Sequence, residues 1–538
     1  MSLNEPADPI TLQSDPLWSS LAGYFCHAAS QYPDNDVLIF DDHRHSYQSL
    51  DAASTTIAKA LAASGVKKGD HVGILMANCP LYFECLLGIT KLGAVAVLVN
   101  ARYKPAELAY IIENADLTLL ITHDLISEYA NFGDLIDQAL TLRETPLLRQ
   151  CILQGNSRKG FVDWQAFLDQ GKQVGNYEIE ASLHSIEADD PCIMMYTSGT
   201  TADPKGCPMH QSMLVRNGQN MNRSRFFLDE NDRFWAPLPM FHMASILPFL
   251  CCVDAGAGMI SMTYVDAGDS LAIMERERAT IAFPSFPTVM QALLDHPDFP
   301  SRDLSSIRRL NNVAPPDVLA KFQEAMPQAV QTGAYGLTEA GGVIAFNHPN
   351  ESLETRLRTC GQPMPGLEAK IVNPDSFETL PAGERGEIWL RGYSVFNGYY
   401  KAPEKNQESF ADGWFRTGDL CAIEDSGQIQ FHGRIKDMLK VGGENVAALE
   451  IESFLSKHPA VKMPQVIGVP DNRLLEVACA YIELNEGMSA TAEEIIDFCQ
   501  GKIASFKIPR HVRFVTDWPM STTKIQKYVL REWFLSGD

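Results

Sequence analysis

The chain has 538 residues, 45% hydrophobic and 21% charged, which is the composition of an ordinary globular protein. A chain of this length can bury substantial cores, and its length favours two to four domains or subdomains. The formal net charge of −23 argues against nucleic acid or an anionic membrane surface as the main partner. Residues 500–538 are basic instead, with seven Lys or Arg against three Asp or Glu, which suits small anionic molecules.

Cysteine usage and the apolar stretches bear on the compartment. The twelve cysteines are scattered without a Cys-x-x-Cys pair, so we interpret them as buried thiols in a reducing compartment. The N-terminus shows no basic region followed by an apolar one, as a signal peptide would. The most apolar stretch, 245–265, contains Asp254 and several glycines, so it is a poor membrane span and is predicted to form two buried strands. A cytoplasmic protein is expected.

Strand and helix patterns alternate through the first hundred residues. Such alternation implies parallel, doubly wound sheets. No internal repeat is visible, and residues 150–190 are interpreted as a surface excursion. The predicted elements are strands at 37–40 and 71–76, helices at 47–63 and 81–92, and a helix end followed by a buried strand over 92–100.

One stretch dominates the sequence, Tyr196-Thr-Ser-Gly-Thr-Thr-Ala-Asp-Pro-Lys-Gly206. It follows the apolar run 192–195, which is predicted to be a short buried strand. Glycines let backbone N–H groups approach an anion, hydroxyls add donors, and a lysine supplies charge. The stretch therefore predicts a phosphate loop. Because Lys205 precedes Gly206, the loop differs from the Walker pattern, in which lysine follows glycine. A solvated Ser/Thr-rich linker is the alternative.

Three later motifs combine polar or aromatic side chains with prolines or glycines, which set the local backbone conformation. Pro237-Leu-Pro-Met-Phe-His242 presents a histidine after two prolines. In Gly333-Ala-Tyr-Gly-Leu-Thr-Glu-Ala340, a tyrosine face can stack on a base, while Thr338 and Glu339 can meet phosphate and a divalent cation. In Gly413-Trp-Phe-Arg-Thr-Gly-Asp419, the aspartate can accept hydrogen bonds from ribose hydroxyls.

These motifs, in this order, resemble the adenylate-forming enzymes: acyl-CoA synthetases, luciferases and peptide-synthetase adenylation domains. The resemblance covers residues 20 to 531 and is strongest to medium-chain acyl-CoA ligases, through Phe506-Lys-Ile-Pro, Val441-Gly-Gly-Glu-Asn-Val and Lys524-Ile-Gln-Lys. The chain departs from the family at Ala202 and Thr523, where glycine is usual. The implied reaction uses ATP and CoA as substrates and Mg²⁺ as cofactor.

The resemblance also implies the fold and the residue roles. An α/β fold is expected, with an N-terminal domain (1–433) of two doubly wound sheets plus a distorted β-barrel, and a small mobile α+β domain (434–538). The catalytic residues implied are Lys524, Thr338, Glu339 (also the metal ligand) and His242. The nucleotide- and CoA-binding residues implied are Thr197, Ser198, Gly199, Thr200, Thr201, Lys205, Ala314, Ala334, Tyr335, Gly336, Thr338, Asp419, Arg434, Lys436 (the hinge), Lys440, Gly442 and Gly443.

Alternatives remain at this stage. An adenylating enzyme could use another acceptor, a carrier protein or oxygen, and Ala202 with Thr523 leaves room for a non-catalytic nucleotide-binding protein. The acid is expected to be a medium-chain or aryl-alkyl monocarboxylic acid, because the candidate pocket residues are apolar. Gly341 and Gly342 are expected to leave room for its chain end. The oligomeric state stays open, with a homodimer as one option.

Overall fold

The computed structural model describes residues 19–197, 204–441, 444–521 and 524–537. The chain divides into two compact units. The first unit takes the described residues of 1–314, 319–368 and 391–413, and the second takes those of 315–318, 369–390 and 414–538.

The helices of the described residues alternate with strands through most of the chain. They are α1 (Leu21–Gln31), α2 (Tyr47–Ala63), α3 (Pro80–Lys91), α4 (Pro105–Asn114), α5 (Phe132–Leu142), α6 (Trp164–Gln170), α7 (Asn176–His184), α8 (Gln211–Met221), α9 (Met243–Ala255), α10 (Ala267–Arg276), α11 (Pro287–Asp295), α12 (Pro316–Ala325), α13 (Leu353–Arg358), α14 (Pro403–Ser409), α15 (Ala448–Leu455), α16 (Ala492–Cys499) and α17 (Lys527–Ser536).

The strands of the described residues are mostly short. They are β1 (Asp36–Ile39), β2 (Arg44–Ser46), β3 (His71–Leu75), β4 (Val95–Leu98), β5 (Leu117–His123), β6 (Gln150–Gln154), β7 (Val162–Asp163), β8 (Pro191–Thr197), β9 (Lys205–His210), β10 (Arg233–Trp235), β11 (Gly258–Ile260), β12 (Ile281–Ser285), β13 (Arg309–Asn312), β14 (Val330–Thr332), β15 (Ala334–Tyr335), β16 (Ala345–Phe346), β17 (Gln362–Pro363), β18 (Leu367–Val372), β19 (Gly386–Gly392), β20 (Phe410–Ala411), β21 (Trp414–Ile423), β22 (Ile429–Arg434), β23 (Met438–Val441), β24 (Glu444–Ala447), β25 (Val461–Asp471), β26 (Leu475–Leu484), β27 (His511–Phe514), β28 (Met520–Ser521) and β29 (Lys524–Ile525).

Two large sheets organise the first unit. One has the strand order β14-β13-β12-β10-β11-β1-β2 and the other β7-β6-β5-β3-β4-β8-β9. The pairs are parallel except at one edge of each sheet, where β1 pairs β2 and β8 pairs β9 antiparallel. Parallel strands are joined through helices that cover the sheet, which is why these strands are buried on both faces. The predicted doubly wound α/β architecture is confirmed.

The early elements were predicted closely because their signals are local. Ser46 caps α2 by accepting the N–H of Ser49, and the helix buries Leu50, Ile57 and Leu61 on one face. The predicted helix over 47–63 therefore coincides with α2. The predicted strands over 37–40 and 71–76 correspond to β1 and β3.

The most apolar stretch was predicted wrongly. Residues 245–265 were expected to form two strands, whereas α9 runs to Ala255 and only β11 follows. The helix is buried nearly all round, so it lacks the one-sided apolar pattern that identifies most helices. Pro248 lies inside it, and Gly256, with φ of +70°, closes it in the left-handed conformation.

Residues 150–190 were also misread. The stretch is not merely a surface excursion, because β6 pairs parallel with β5 inside the second sheet and buries Cys151, Ile152 and Leu153. Short strands flanked by polar loops give too few residues for a pattern to emerge.

The second unit contains two further sheets and their helices. In one, β21 pairs antiparallel with β19 and β22, and β18 lies on the far side of β19. In the other, the order is β24-β23-β26-β25, with β27 parallel to β26. Helices α15 and α16 pack on it, burying Ile451, Leu455 and Ile495 in one apolar cluster. Helix α15 begins at Ala448, directly after β24.

Ten of the twelve cysteines are buried, as expected, and burial raises the pKa of thiols such as Cys207 and Cys251. These thiols therefore stay protonated and unreactive at neutral pH. In the part of the chain that the structure describes, a helix with the length and apolar character needed to span a membrane does not occur.

Candidate active site

The predicted phosphate loop joins an antiparallel pair of strands. In the register of β8 and β9, Tyr196 lies opposite Gly206 and Thr197 lies opposite Lys205. The first hydroxyl of the motif and its lysine therefore stand across from each other at the base of the loop. Residues 198–203, which include the predicted Ser198, Gly199, Thr200 and Thr201 and the departure at Ala202, lie outside the described residues.

The carboxylate of Glu339 lies next to this loop base. Thr197 donates its hydroxyl to Glu339 Oε1 at 3.4 Å, and Tyr399 donates its phenol O–H to the same oxygen at 2.9 Å. The backbone N–H of Phe396 donates to the Glu339 carbonyl at 2.9 Å, which fixes the main chain there. Two motifs separated by 142 residues thus meet at one half-buried carboxylate.

The turn that presents Thr338 and Glu339 is closed by backbone hydrogen bonds. The Leu337 carbonyl accepts from the N–H of Ala340 at 3.1 Å and of Gly342 at 3.0 Å. Gly336 lies so close to this turn that a Cβ on it would come 1.8 Å from the Gly342 carbonyl oxygen. Only glycine fits there, because the obstacle is backbone and cannot rotate away.

Gly336→Ala is accordingly expected to lower the free energy of unfolding by about 2 kcal/mol or more, as overpacking against immovable atoms does. The same change should also displace Thr338 and Glu339 and reduce activity. Midpoints of chemical unfolding measure the first effect. Gly175→Ala is the matched control, because a Cβ there meets nothing nearer than 3.8 Å and φ is −76°. Wild-type midpoint and activity in Gly336→Ala would contradict the close approach.

His242 lies at the beginning of α9 beside the same turn. It is the N-cap residue of the helix, half-buried, with its ring 4.7 Å from that of Phe241. A Cβ on Gly342 would come 2.7 Å from Met243 Cβ, so the turn after Glu339 packs on the first residue of α9. The structure therefore brings the His242 and Glu339 motifs together in the first unit.

One expectation about the acyl pocket is wrong. Gly341 and Gly342 were expected to leave room for a chain end, but packed side chains fill the space beside them. A Cβ on Gly341 would lie 2.3 Å from Asn217 Nδ2, and one on Gly342 would lie 2.9 Å from Leu247 Cδ1. Asn217 also donates to the Gly341 carbonyl at 2.9 Å. These glycines permit close packing of the turn on α8 and α9.

Ala314 follows the carboxyl end of β13 and is half-buried. The side chains of the two asparagines that precede Val313 and Ala314 are turned into the sheet. Asn311 donates its Nδ2 to the Thr332 carbonyl at 3.1 Å, and Asn312 donates to Gln331 Oε1 at 2.9 Å. Both side chains are buried. They join β13 to β14, and Ala334 and Tyr335 in β15 come soon after.

In the second unit, Asp419 and Arg434 are paired. They lie opposite each other in the register of β21 and β22, with Arg434 Nε 3.1 Å from Asp419 Oδ1. The Asp419 side chain is only 3% exposed, so the guanidinium compensates a buried negative charge. The Gly418 N–H donates to Glu387 Oε1 at 2.9 Å, so Glu387 holds the turn that precedes Asp419.

Two of the predicted hinge and CoA residues, Lys436 and Lys440, are exposed residues of the second unit. Lys436 is exposed in a 3-10 turn, Ile435–Asp437, between β22 and β23. Lys440 is exposed in β23, and its N–H donates to Glu476 Oε2 at 3.0 Å. Lys524 lies in β29, where its backbone pairs with Ser521. Gly442, Gly443 and the departure at Thr523 lie outside the described residues.

Sequence reasoning missed Tyr399 and Tyr400. Tyr399 bonds Glu339, and the Tyr400 N–H donates to the Gly206 carbonyl at 2.8 Å, at the end of the phosphate loop. Tyr400 also donates its O–H to Asp116 Oδ2 at 2.7 Å, and burial together with this carboxylate raises its pKa, so the phenol stays protonated. The sequence feature that could have pointed to these two tyrosines is the turn Asn397-Gly-Tyr-Tyr400, in which two adjacent aromatic residues follow a glycine.

His432 lies two residues before Arg434 and is neutral at physiological pH. Burial is the main reason that its pKa is lowered to about 4, and the charge of Arg385 adds to the effect. The positive charge on this part of β22 is therefore supplied by Arg434 and not by the histidine.

Comparison with known proteins gives the family. The profile of the AMP-binding enzyme family matches residues 25–400, and that of the AMP-binding enzyme C-terminal domain matches residues 450–524. YngI of Bacillus subtilis (strain 168), whose name places it among the acyl-CoA synthetases, is 37% identical over 524 residues, covering 94% of this chain and 95% of the relative. The mitochondrial medium-chain acyl-CoA ligase ACSF2 of Danio rerio is 31% identical over 551 residues, covering 97% and 89%.

A solved structure agrees over the whole length. The crystal structure of the anthranilate CoA ligase AuaEII in complex with anthranoyl-AMP superposes with a TM-score of 0.85 at 29% identity, covering 98% of this chain and 100% of that chain. The chain therefore belongs to the AMP-binding, adenylate-forming enzyme family and, within it, to the acyl-CoA synthetases, which are AMP-forming acid–thiol ligases.

Proposed function

We propose that this enzyme ligates a medium-chain or aryl-alkyl monocarboxylic acid to CoA through an acyl-adenylate. The observation that carries the assignment of its residues is the cluster of Thr197, Glu339 and Tyr399 at the base of the phosphate loop. There, Thr197, the first hydroxyl residue of the motif, lies at hydrogen-bond distance from a carboxylate able to bind a cation. This is the combination that a nucleoside triphosphate with its cation requires.

In the first half-reaction, an oxygen of the acid's carboxylate attacks the α-phosphorus of ATP. A carbon–oxygen–phosphorus anhydride bond forms, the bond from the α-phosphorus to the bridging oxygen breaks, and pyrophosphate leaves. Two anions must approach each other, so the main requirements are positioning and charge neutralisation. We assign Lys205 and the loop hydroxyls to the departing pyrophosphate, and Lys524 to the α-phosphate and the attacking carboxylate.

Glu339 is the proposed ligand for Mg²⁺. A hard cation takes oxygen ligands and commonly combines one or two carboxylates with substrate phosphates. Glu339 fits this role, because the hydroxyl groups of Thr197 and Tyr399 hold its Oε1 in place. Both partners are neutral, so these contacts leave the negative charge of the carboxylate available to a cation. When bound, Mg²⁺ would supply positive charge to the phosphate oxygens.

Residues for the nucleoside are proposed in each unit separately. We propose that Tyr335, which is buried beside Ala334 and the exposed Gly336, offers its ring to the base, and that Ala314, shortly after the end of β13, lies near it. We propose that Asp419 accepts hydrogen bonds from ribose hydroxyls and that Arg434 shares this task. Their mutual pairing supports the role, because the guanidinium compensates the negative charge of a buried carboxylate and holds it in place as an acceptor.

In the second half-reaction, the thiol of CoA attacks the acyl carbon. A thioester bond forms, the acyl–oxygen bond to AMP breaks, and the thiol proton is released. We propose that residues 434–538 form the mobile domain, that Lys436 is its hinge, and that Lys440, Gly442 and Gly443 contact CoA. Because CoA and reduced thiols occur together in the cytoplasm, we propose that compartment for the enzyme.

The acid class is inferred from the residues beside His242. Phe241, Met243 and Leu247 are buried and apolar, and Met290 on α11 is buried as well. Apolar surroundings of this kind would favour an apolar chain, with about 0.8 kcal/mol gained for each buried methylene. The names of the relatives agree in kind, since ACSF2 is named a medium-chain acyl-CoA ligase and AuaEII an anthranilate CoA ligase.

Catalytic efficiency is accordingly expected to rise about three- to fourfold per carbon from acetate, to pass through a maximum at a medium-chain acid, and then to fall. Pyrophosphate release measured over straight-chain acids from acetate to dodecanoate tests this, with phenyl-substituted acids in parallel. An optimum at acetate, or a preference for a dicarboxylic or amino acid, would show that the pocket is small or polar.

The same assay separates the acceptors. With CoA present, acyl-CoA should accumulate with AMP, whereas a carrier-protein enzyme would release pyrophosphate but form no acyl-CoA. A non-catalytic relative would release no pyrophosphate with any acid.

A further inference from the structure

Two histidines and a glutamate lie together in the first unit, far in sequence from every residue assigned to ATP, acid or CoA. They are His43 and His45, in the hairpin of β1 and β2, and Glu84, in α3. Their nearest ligand-type atoms all lie within 4.8 Å of one another. A search of the described residues for three or more His, Cys, Asp or Glu side chains close enough to share a cation gives this group.

The hairpin brings the two histidines to one side. Residues 43 and 45 are two apart, and side chains two apart in a strand point to the same face. Their ring centroids are 4.5 Å apart. Arg44 points the other way, where it pairs with Asp36 at 2.6 Å and with Glu277 at 2.9 Å. The nearby positive charge is thereby engaged away from the histidines.

The hydrogen bonds around His45 assign its tautomer. Ser49 donates its hydroxyl proton to the Ser46 carbonyl at 3.1 Å. Its Oγ is therefore an acceptor towards His45 Nδ1, 2.9 Å away, so Nδ1 carries the proton. Metal-binding histidines are held in the same way, with one ring nitrogen donating to an oxygen so that the other is free to bind the metal.

The second nitrogen of His45 then faces a carboxylate. Nε2 lies 3.0 Å from Glu84 Oε1. Two lone pairs at this distance repel each other unless a cation, either a proton or a metal ion, lies between them. A proton would be shared by His45 and Glu84 alone. A metal ion would take further ligands, and His43 lies close enough to supply one. His45 is 8% exposed and His43 is exposed, so the cluster has one buried ligand and is accessible to solvent at the other histidine.

We propose that His43, His45 and Glu84 form a binding site for Zn²⁺ that ties the β1–β2 hairpin to α3. Zinc binds imidazole nitrogen and carboxylate oxygen at about 2.0–2.2 Å, and in a tetrahedral site its ligands are then about 3.3–3.5 Å apart. The 3.0 Å separation of His45 and Glu84 is close to this spacing, and rotation of the exposed His43 side chain brings in the third ligand. Water takes the fourth position.

Zinc titration of the full-length, chelator-treated protein tests the site. The protein carries no polyhistidine tag, and ATP and Mg²⁺ are left out. Calorimetry should give one Zn²⁺ per chain, and the Tm should rise by about 1–3 °C at saturating zinc, because the metal binds the folded state. Co²⁺ should give visible absorption bands without the near-ultraviolet band of cysteine ligation.

Three variants and a matched control locate the binding. His43→Ala changes an exposed residue and should fold normally, while Glu84→Gln keeps the shape of the side chain and His45→Gln removes the central ligand. Each is expected to weaken zinc binding at least about 100-fold and to abolish the Tm rise. His184→Ala, an exposed histidine on α7, should bind like the wild type. Acyl-CoA formation without zinc reports whether each variant is folded.

Several results would overturn the proposal. If the wild type binds zinc with no higher affinity than the Glu84→Gln variant, then His45 and Glu84 form only an imidazole–carboxylate pair. Binding that survives His43→Ala contradicts the three-ligand site, and binding that survives all three changes lies elsewhere. Because the readouts are stoichiometry and Tm, they do not depend on which acid the enzyme uses.

Discussion

Replacing Lys524 by alanine is expected to slow acyl-adenylate formation at least about 100-fold, which corresponds to about 3 kcal/mol or more of transition-state stabilisation. The charge of this lysine is proposed to neutralise the α-phosphate and the attacking carboxylate, two anions that would otherwise repel each other. A preorganised donor at such a position acts mainly on the transition state, where the negative charge concentrates. ATP–pyrophosphate exchange measured at saturating acid reports this half-reaction alone.

The other half-reaction provides the contrast. Thioester formation from supplied acyl-adenylate and CoA should fall less than about tenfold in Lys524→Ala, because that step has no α-phosphate attack to stabilise. Lys462→Ala is the matched control, since Lys462 lies in the same unit, is 49% exposed and pairs with Glu483 at 2.7 Å near the surface. Equal losses in both half-reactions of Lys524→Ala would reduce this lysine to a structural role.

The parts of the fold that the sequence predicted are those with local causes. The helix over 47–63 has a serine cap and one apolar face, and β3 is a short apolar run between turns. Both signals arise within one element, so no knowledge of neighbours is needed. Helix α9 failed for the opposite reason, because its burial on all sides is a property of the packed unit.

The residues of the candidate site also separate into those that a local sequence pattern indicates and those that depend on the tertiary structure. The motif residues Thr197 and Glu339 were found because each belongs to a run of unusual residue types. Tyr399, which bonds Glu339, was missed because a tyrosine 60 residues away carries no sign of its partner. The reading of Gly341 and Gly342 as empty space failed because a glycine shows only that a side chain is absent. Which atoms occupy the space, here Asn217 and Leu247, depends on the tertiary structure.

Lys436→Pro is expected to preserve acyl-adenylate formation while abolishing transfer of the acyl group to CoA. One site must serve ATP in the first half-reaction and the thiol in the second, and enzymes commonly exchange such co-substrates through a conformational step. Hinge residues absorb that step by changing φ and ψ, and proline fixes φ at about −65°. Lys436 is exposed in a short 3-10 turn, so the substitution meets no packed core.

Two measurements on the same preparation decide the case. ATP–pyrophosphate exchange should stay within about threefold of the wild type, whereas acyl-CoA formation should fall by about 100-fold or more, since the proline holds the turn in one conformation. Lys436→Ala removes the side chain but leaves the backbone free, so it should retain both half-reactions and thereby separate a backbone role from a contact made by the amine. Wild-type acyl-CoA formation in Lys436→Pro would place the hinge elsewhere. Loss of both half-reactions with a lowered unfolding midpoint would show that the 3-10 turn is needed for folding rather than for movement.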